Sequence, residues 1–348
     1  MTTELHANLK DYYGRVLSKS SDLQTNACCT GGGGLPGDIK AALKKVHPEV
    51  MARFYGCGSP IPAALEGSTV LDLGCGTGRD VYVLSQLVGE HGRVIGVDMT
   101  DEQLDLARRH IDYHMDTFGY RSANVDFRQG FIEDLSALDL ADSSVDVVVS
   151  NCVINLSPEK ESVFREIFRV LKPGGELYFS DVFADRRIPA RLLEDSVLHG
   201  ECLSGALYVE DFRRMLARVG CRDYRSMERS TITIDNPELE ARIGMVGFSS
   251  ITVRAFKLDL EDICEDYGQI AVYEGTIPGH PHFFDLDDHH RLFTGKPMLV
   301  CGNTAAMLRD SRFGSHFAIH GDTSVHFGPF ECAPAVDKAV PESGGACC

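Results

Sequence analysis

The sequence predicts a doubly wound α/β fold followed by a smaller C-terminal α+β domain. Between residue 69 and about residue 228, short apolar runs alternate with amphipathic helical patterns. The first of these runs closes on a glycine-rich turn, Gly74 to Gly78, that leads directly into a helical pattern. From about residue 231 the texture becomes β-rich and loop-rich, with Gly, His and Phe frequent. Strands apolar along nearly their whole length are buried on both faces, as in a mostly parallel sheet flanked by helices. The first part is therefore expected to be Rossmann-like.

In chain order, residues 1–68 form an N-terminal segment broken by the four glycines Gly31–Gly34 and by Leu35-Pro36-Gly37, a joint rather than an element. Asp38–His47 reads as a helix, with Asp38 as N-cap and Ile39, Leu43 and Val46 at helical spacing. Strands are expected at Thr69–Leu73, Arg93–Val97, Val125–Gln129, Val145–Ser150 and Glu176–Ser180. The helices between them are expected at Asp80–Val88, Asp101–Phe118 and Pro158–Leu171, the last ended by Pro173-Gly174-Gly175. A further helix, Val209–Val219, precedes Cys221–Glu228. The domain boundaries that follow are 1–68, 69–230 and 231–332, with 333–348 expected to be a disordered tail.

Composition excludes several function classes. Among 348 residues, 34 Lys and Arg face 51 Asp and Glu, a net charge of −17. Such a surface repels phosphate backbones and anionic lipid headgroups, so no nucleic-acid partner and no membrane contact are expected. No apolar run approaches a membrane span, and Met1–Lys10 lacks the apolar stretch of a secretory signal. A cytoplasmic monomer is expected. In a reducing compartment the 12 cysteines are not a disulfide scaffold, which turns attention to metal, metalloid or catalytic roles.

The segment Val70-Leu71-Asp72-Leu73-Gly74-Cys75-Gly76-Thr77-Gly78 is a buried strand running into a turn and then a helix beginning near Arg79-Asp80. Glycines at 74, 76 and 78 permit a close backbone approach to a ligand, and the helix start offers free N–H groups. A dinucleotide site has the spacing Gly-x-Gly-x-x-Gly, whereas this turn is Gly-x-Gly-x-Gly. The tighter turn suits the carboxylate and amino group of methionine, with Asp72 placed to accept from the amino group. Asp98, at the end of the second strand, is suited to two ribose hydroxyls. Phe131-Ile132-Glu133 follows the third strand, where an adenine would lie. Leu71–Gly78 resembles the turn of the class I S-adenosylmethionine (SAM)-dependent methyltransferases. The resemblance implies SAM as methyl donor and leaves the acceptor open; Arg79 and Asn151 are grouped with the cofactor residues.

Transfer of a methyl group from a sulfonium is an in-line displacement that needs a positioned nucleophile and a dry site. An oxygen or nitrogen acceptor calls for a base near the fourth strand. That place reads Ser150-Asn151-Cys152-Val153-Ile154-Asn155-Leu156, with a cysteine and no titratable base. Cys152 falls at the carboxyl edge of the sheet, where ligands bind in open α/β folds. Cys202 follows the fifth strand, and Cys57 precedes the first. Three thiolates suit a soft, thiophilic centre. A closed zinc site would add a fourth ligand and closely spaced cysteine pairs, which Cys57, Cys152 and Cys202 lack.

The segments Thr25–Cys28, Tyr55–Gly58, Ser150–Leu156, Gly174–Asp181 and Gly200–Leu207 are similar to those of the arsenite SAM methyltransferases, a resemblance running from about Tyr12 into the last domain. It implies that Cys57, Cys152 and Cys202 bind trivalent arsenic, while Cys28 delivers arsenic or forms a disulfide with Cys57; adjacent Cys29 is an alternative. It further implies that Tyr55 covers the sulfonium and that Asp98, Met99, Ile132 and Glu133 hold the adenosine. Arsenic(III) on three sulfurs keeps a lone pair that serves as nucleophile, so no general base is required. The activity implied is methylation of arsenite and methylarsenite to mono- and dimethylated arsenicals, in arsenic detoxification. Each transfer oxidises arsenic, so glutathione or thioredoxin is expected as external reductant.

Two other readings compete: a carbon methyltransferase of the quinone or sterol type, with a His or Glu near Asn155, and a thiol-rich metalloid-binding protein. His280, His282, Asp285, Asp287, Asp288, His289 and His290 form a dense cluster suited to zinc or calcium, although interleaved Phe283, Phe284 and Leu286 point to a packed loop. Cys264, Cys301 and Cys332 are expected to be structural, and Cys347-Cys348 to belong to a solvated tail.

Overall fold

The structure, a computed structural model, describes residues 9–10, 35–54, 56, 59–193, 195, 198–199 and 202–332. Its main sheet contains β1 (Thr69–Leu73), β2 (Arg93–Asp98), β3 (Val125–Gln129), β4 (Val145–Asn151), β5 (Leu171–Ala184), β6 (Leu207–Tyr208), β7 (Tyr224–Ile232) and β8 (Phe248–Phe256). The order across it is β3-β2-β1-β4-β5-β8-β7, with β6 beside β5. β1 runs parallel to both neighbours, Leu71 pairing with Ile95 of β2 and with Val148 of β4. The chain thus winds outward through β2 and β3 on one side of β1 and through β4 and β5 on the other. That reversal opens a crevice at the carboxyl ends of β1 and β4, where such folds place ligands.

β1 shows why its sequence makes a central strand. Val70 faces one apolar layer, with Val81, Leu84 and Leu104 from the helices Arg79–Val88 and Asp101–Arg109. Leu71 and Leu73 face the other, with Phe164 and Ile167 from the helix Lys160–Val170. Both faces are fully buried, so successive apolar residues are needed where a one-sided sheet would alternate.

Three expected elements differ in detail. The helix expected over Asp38–His47 runs from Gly37 to Leu43, with Pro36 at the N-cap position and Asp38 inside the first turn. The helical pattern over 101–118 is interrupted at His110, giving helices Asp101–Arg109 and Ile111–Phe118. There the backbone closes tightly onto Ala107 and the imidazole is held by Glu49 at 2.9 Å. Pro173-Gly174-Gly175 lies inside β5 and does not precede it, because Leu171 already pairs with Val145. Gly174 and Gly175 exchange hydrogen bonds with Lys257 at 2.9 Å each, so the backbone beyond β8 completes the ladder past the kink.

The main sheet also continues beyond residue 230, since β8 pairs antiparallel with β5 from Phe248↔Ala184 to Phe256↔Glu176. The remaining strands are β9 (Glu265–Asp266), β10 (Gln269–Tyr273), β11 (Phe283–Asp285), β12 (Arg291–Phe293), β13 (Met298–Val300), β14 (Phe317–His320) and β15 (Gly328–Pro329). They form small sheets, one of them β13-β10-β14, around Tyr273, Phe284, Phe313 and Phe317. This layer is fastened to the main sheet through Glu176. Its carboxylate accepts from Arg254 of β8 at 2.5 Å and pairs with Arg312. Arg254 also reaches the Leu286 carbonyl, and Arg312 the carbonyls of Ala63 and Ala64. Among the described residues, no helix is long and apolar enough to cross a membrane.

Candidate active site

The glycine turn is tied down before it opens to the cleft. The N–H groups of Gly74 and Cys75 both donate to the Val97 carbonyl of β2, at 2.7 and 3.0 Å. Gly74 has φ +70°, and a Cβ there would stand 2.3 Å from Val153, so only glycine fits. Gly76 has φ +52° and lines the cleft, where a Cβ would meet open space. Gly78 serves packing instead, against Phe127, and its carbonyl starts the next helix by accepting from Tyr82 at 2.9 Å.

Three carboxylates converge around this turn. Asp98 accepts from Gly76 N at 2.9 Å and from Thr100 N at 2.8 Å, which fixes its orientation at the end of β2. Burial nevertheless raises its pKa above the ordinary range. Asp72 is pushed well up, first by burial and then by the Asp80 and Asp98 charges, with Arg79 opposing. Asp80 accepts from Arg79 Nε at 2.8 Å and from Asn151 Nδ2 at 3.2 Å, and Arg79 stacks on Phe54. A cleft whose acids repel one another is completed by a cationic ligand. An amino group and a sulfonium on one molecule answer that requirement, so the residues present fit SAM.

Of the sequence-predicted cofactor residues, Asp72, Gly74, Gly76, Arg79, Asp98, Met99, Ile132, Glu133 and Asn151 all line one cleft; Gly78 does not. Glu133 accepts from Ser157 Oγ at 2.5 Å. Sequence reasoning missed Asp80, Gln103 and Ser157 as lining residues. Asp80 was marked only by its place in the first helical turn. Gln103 and Ser157 carry no local signal, because it is the fold that brings them round.

Cys152 lines the same cleft, immediately beyond β4, and its N–H donates to Ser180 O at 2.9 Å. It is disulfide-bonded. Cys202 is buried directly behind it, its sulfur 3.1 Å from the Cys152 carbonyl oxygen. Both adopt left-handed φ, 57° and 64°, which is uncommon for residues with a Cβ and marks a held conformation. Cys28, Cys29, Tyr55 and Cys57 lie outside the described residues. Cys75 is buried beneath the glycine turn, and burial pushes its thiol pKa well up.

A carboxylate does stand near Asn155, contributed by β5 and not by the local sequence. Asp181 accepts from Asn155 N, Asn155 Nδ2 and Val182 N at 3.1, 2.7 and 2.8 Å. Burial raises it to about 7, but it is not among the residues that line the cleft. It braces the Cys152–Asn155 loop and is not placed as a base towards the ligand. Beside it the half-buried Lys160 ammonium, pushed down to about 8 by desolvation, donates to Ser157 O at 2.8 Å.

The acidic and histidine-rich segment is mostly engaged in folding. Asp287, His289 and His290 bring ligand atoms within 4.8 Å of one another. However, Asp287 already accepts from the His289 and His290 N–H groups, and pairs with the His290 ring and Arg225.

Comparison with known proteins extends over the whole chain. Residues 65–220 match the model of a methyltransferase domain, and residues 267–348 that of an arsenite methyltransferase C-terminal domain. The arsenite methyltransferase of Aquipseudomonas alcaligenes is 55% identical over 349 residues, covering 99% of this chain and 100% of that one. The arsenite methyltransferase of Mus musculus is 42% identical over 364 residues, covering 99% and 96%. The crystal structure of CrArsM, an arsenic(III) SAM methyltransferase from Chlamydomonas reinhardtii, superimposes with TM-score 0.83 at 54% identity, covering 86% of this chain and 100% of that one.

Proposed function

The chain belongs to the arsenite methyltransferase family and is a SAM-dependent methyltransferase of arsenite; from that premise we propose that Cys57, Cys152 and Cys202 hold trivalent arsenic as three thiolates at the edge of the cleft. The observation that carries this reading is the contact of the Cys202 sulfur with the Cys152 backbone, beside the SAM cleft. SAM supplies an electrophilic methyl group on a sulfonium. The thiolates keep arsenic trivalent with its lone pair directed at that methyl, and the pair forms the new bond without a base. Asp72 and Asp80 receive the cationic end of the cofactor, Asp98 its ribose, and Met99, Ile132 and Glu133 its adenine. Tyr55 covers the sulfonium.

Each transfer converts As(III) to As(V), so two electrons must be returned before the next. External thiols, glutathione or thioredoxin, supply them, with Cys28 delivering arsenic to the site. The disulfide at Cys152 supports this reading, because a ligand cysteine in that state must be reduced before it binds arsenic. The products are mono- and dimethylated arsenicals.

The test uses purified protein with SAM, arsenite and either glutathione or thioredoxin, with products read by mass spectrometry. Methylarsenicals are expected only when a thiol reductant is present. Equal yield without reductant overturns the redox cycle, and full activity of Cys152→Ser or Cys202→Ser removes that residue from the ligand set.

A further inference from the structure

Histidines fasten the chain before the first strand to the methyltransferase domain. His47 is the N-cap of the short helix Pro48–Met51, its Nδ1 accepting from Glu49 N at 3.2 Å. His110 lies at the joint between the helices Asp101–Arg109 and Ile111–Phe118, and its ring stacks on that of His47 with centroids 3.8 Å apart. His114 brackets the pair: its Nε2 accepts from His47 N at 3.1 Å and its Nδ1 donates to His110 O at 2.6 Å. Both of its nitrogens are thereby used, and burial pushes its pKa down to about 4, so it stays neutral and holds the two backbones together.

Glu49 completes the group. Its Oε2 stands 2.9 Å from His110 Nε2, while its Oε1 lies 3.7 Å from Arg109. One ligand atom from each of His47, Glu49 and His110 lies within 4.8 Å of the others. The same holds for Asp287, His289 and His290, but there the carboxylate is already taken by backbone N–H groups and by Arg225. Here Glu49 is exposed, His47 half-buried and His110 buried, so the group opens to solvent on one side.

We propose that His47, Glu49 and His110 bind a zinc-type divalent cation that clasps the N-terminal segment to the methyltransferase domain. Two imidazoles and one carboxylate suit zinc, with water as fourth ligand, and do not suit calcium or magnesium, which take oxygen. Two ligands on one tetrahedral zinc stand about 3.3 Å apart, so the Glu49–His110 pair opens by only about 0.4 Å. The cation replaces the proton between these two groups, which passes to solvent, and no electrons move. His47 makes the larger movement. Its half-buried ring turns out of the stack and gives up the cap, since a neutral imidazole has one lone pair, and water takes over the exposed Glu49 N–H. Shortly after Glu49 the chain reaches Arg53 and Phe54, which line the cofactor cleft, and Val50 O accepts from Thr77 of the glycine turn at 3.1 Å. A clasp at Glu49 therefore steadies one wall of that cleft.

The experiment uses the full-length protein, stripped of metal by a chelator, with free zinc set through the micromolar range by a metal buffer. Modification of each histidine by diethyl pyrocarbonate is followed by peptide mass spectrometry. Zinc is expected to slow modification of His47 about tenfold once its free concentration exceeds the dissociation constant about tenfold, since only the metal-free ring reacts. Glu49→Gln keeps an acceptor for His110 but removes the charged ligand, and should abolish this protection while the other histidines react as in the wild type. His110→Asn is a second variant, read at His47 in the same way. Modification of His47 unaffected by zinc, protection that persists in either folded variant, or equal protection by calcium overturns the proposal. No cysteine takes part, so none of these results bears on the arsenic site.

Discussion

The sulfur of Cys202 lies 3.1 Å from the carbonyl oxygen of Cys152, and both residues hold left-handed backbone conformations. A thiol from the segment after β5 is thereby pressed onto the backbone at the end of β4, although fifty residues separate them in the chain. The Cys152 N–H is held by Ser180 O of β5 and the Cys202 N–H by His199 O, and each cysteine keeps a backbone conformation that its own side chain disfavours.

In the proposed three-thiolate site both sulfurs act on one arsenic, and neither can replace the other. Cys152→Ser and Cys202→Ser are each expected to lose essentially all methylation of both arsenite and methylarsenite, measured as product by mass spectrometry. A variant that keeps the second methylation would show that its sulfur is not a ligand at that step.

Cys28 and Cys57 are expected to behave differently. Methylarsenite already carries one carbon and needs only two thiolates. Replacing either cysteine by serine should therefore spare the second methylation more than the first, compared as initial rates on the two substrates. Equal losses on both substrates would contradict a delivery role for Cys28.

Asp98 lines the cleft and is oriented by two backbone N–H groups. Asp98→Asn is expected to weaken SAM binding by about 10- to 100-fold, the scale of a hydrogen bond to a charged acceptor, as read by calorimetry. Unchanged affinity would move the ribose elsewhere.

Asp181 gives the fold a pH dependence of definite sign. Burial raises its carboxyl to about 7, so between about pH 4 and pH 7 the folded chain keeps a proton that the unfolded chain has lost. Stability attributable to this group therefore falls as pH rises through that window. Relative to Asp181→Asn, the wild type should lose about 2 kcal/mol between pH 5 and pH 7.5 in urea unfolding. A constant difference between the two proteins would show that the carboxyl titrates normally.

Glu176 is wholly buried between Arg254 and Arg312. Glu176→Gln leaves two buried guanidinium groups facing a neutral amide and is expected to cost about 3–5 kcal/mol. Denaturant unfolding would register it, and a change below about 1 kcal/mol would mean that the backbone carbonyls alone satisfy both arginines.

The parallel sheet, the glycine turn and the donor were legible in the sequence by itself, because each depends on local rules. Continuous apolar runs such as Val70–Leu73 mark strands covered on both faces, and Gly74 is required by a conformation and a contact that a Cβ forbids. The acceptor was legible only through the resemblance of the cysteine-bearing segments, since the cysteines lie far apart in the chain. Other features depended on tertiary structure. Asp80 is drawn into the cleft by Arg79 and Asn151. Asp181 enters from β5 to brace a loop that follows β4, and β8 extends the main sheet past residue 230. Periodicity and turn chemistry reach across only a few residues, whereas these contacts are closed by the packing of the whole chain.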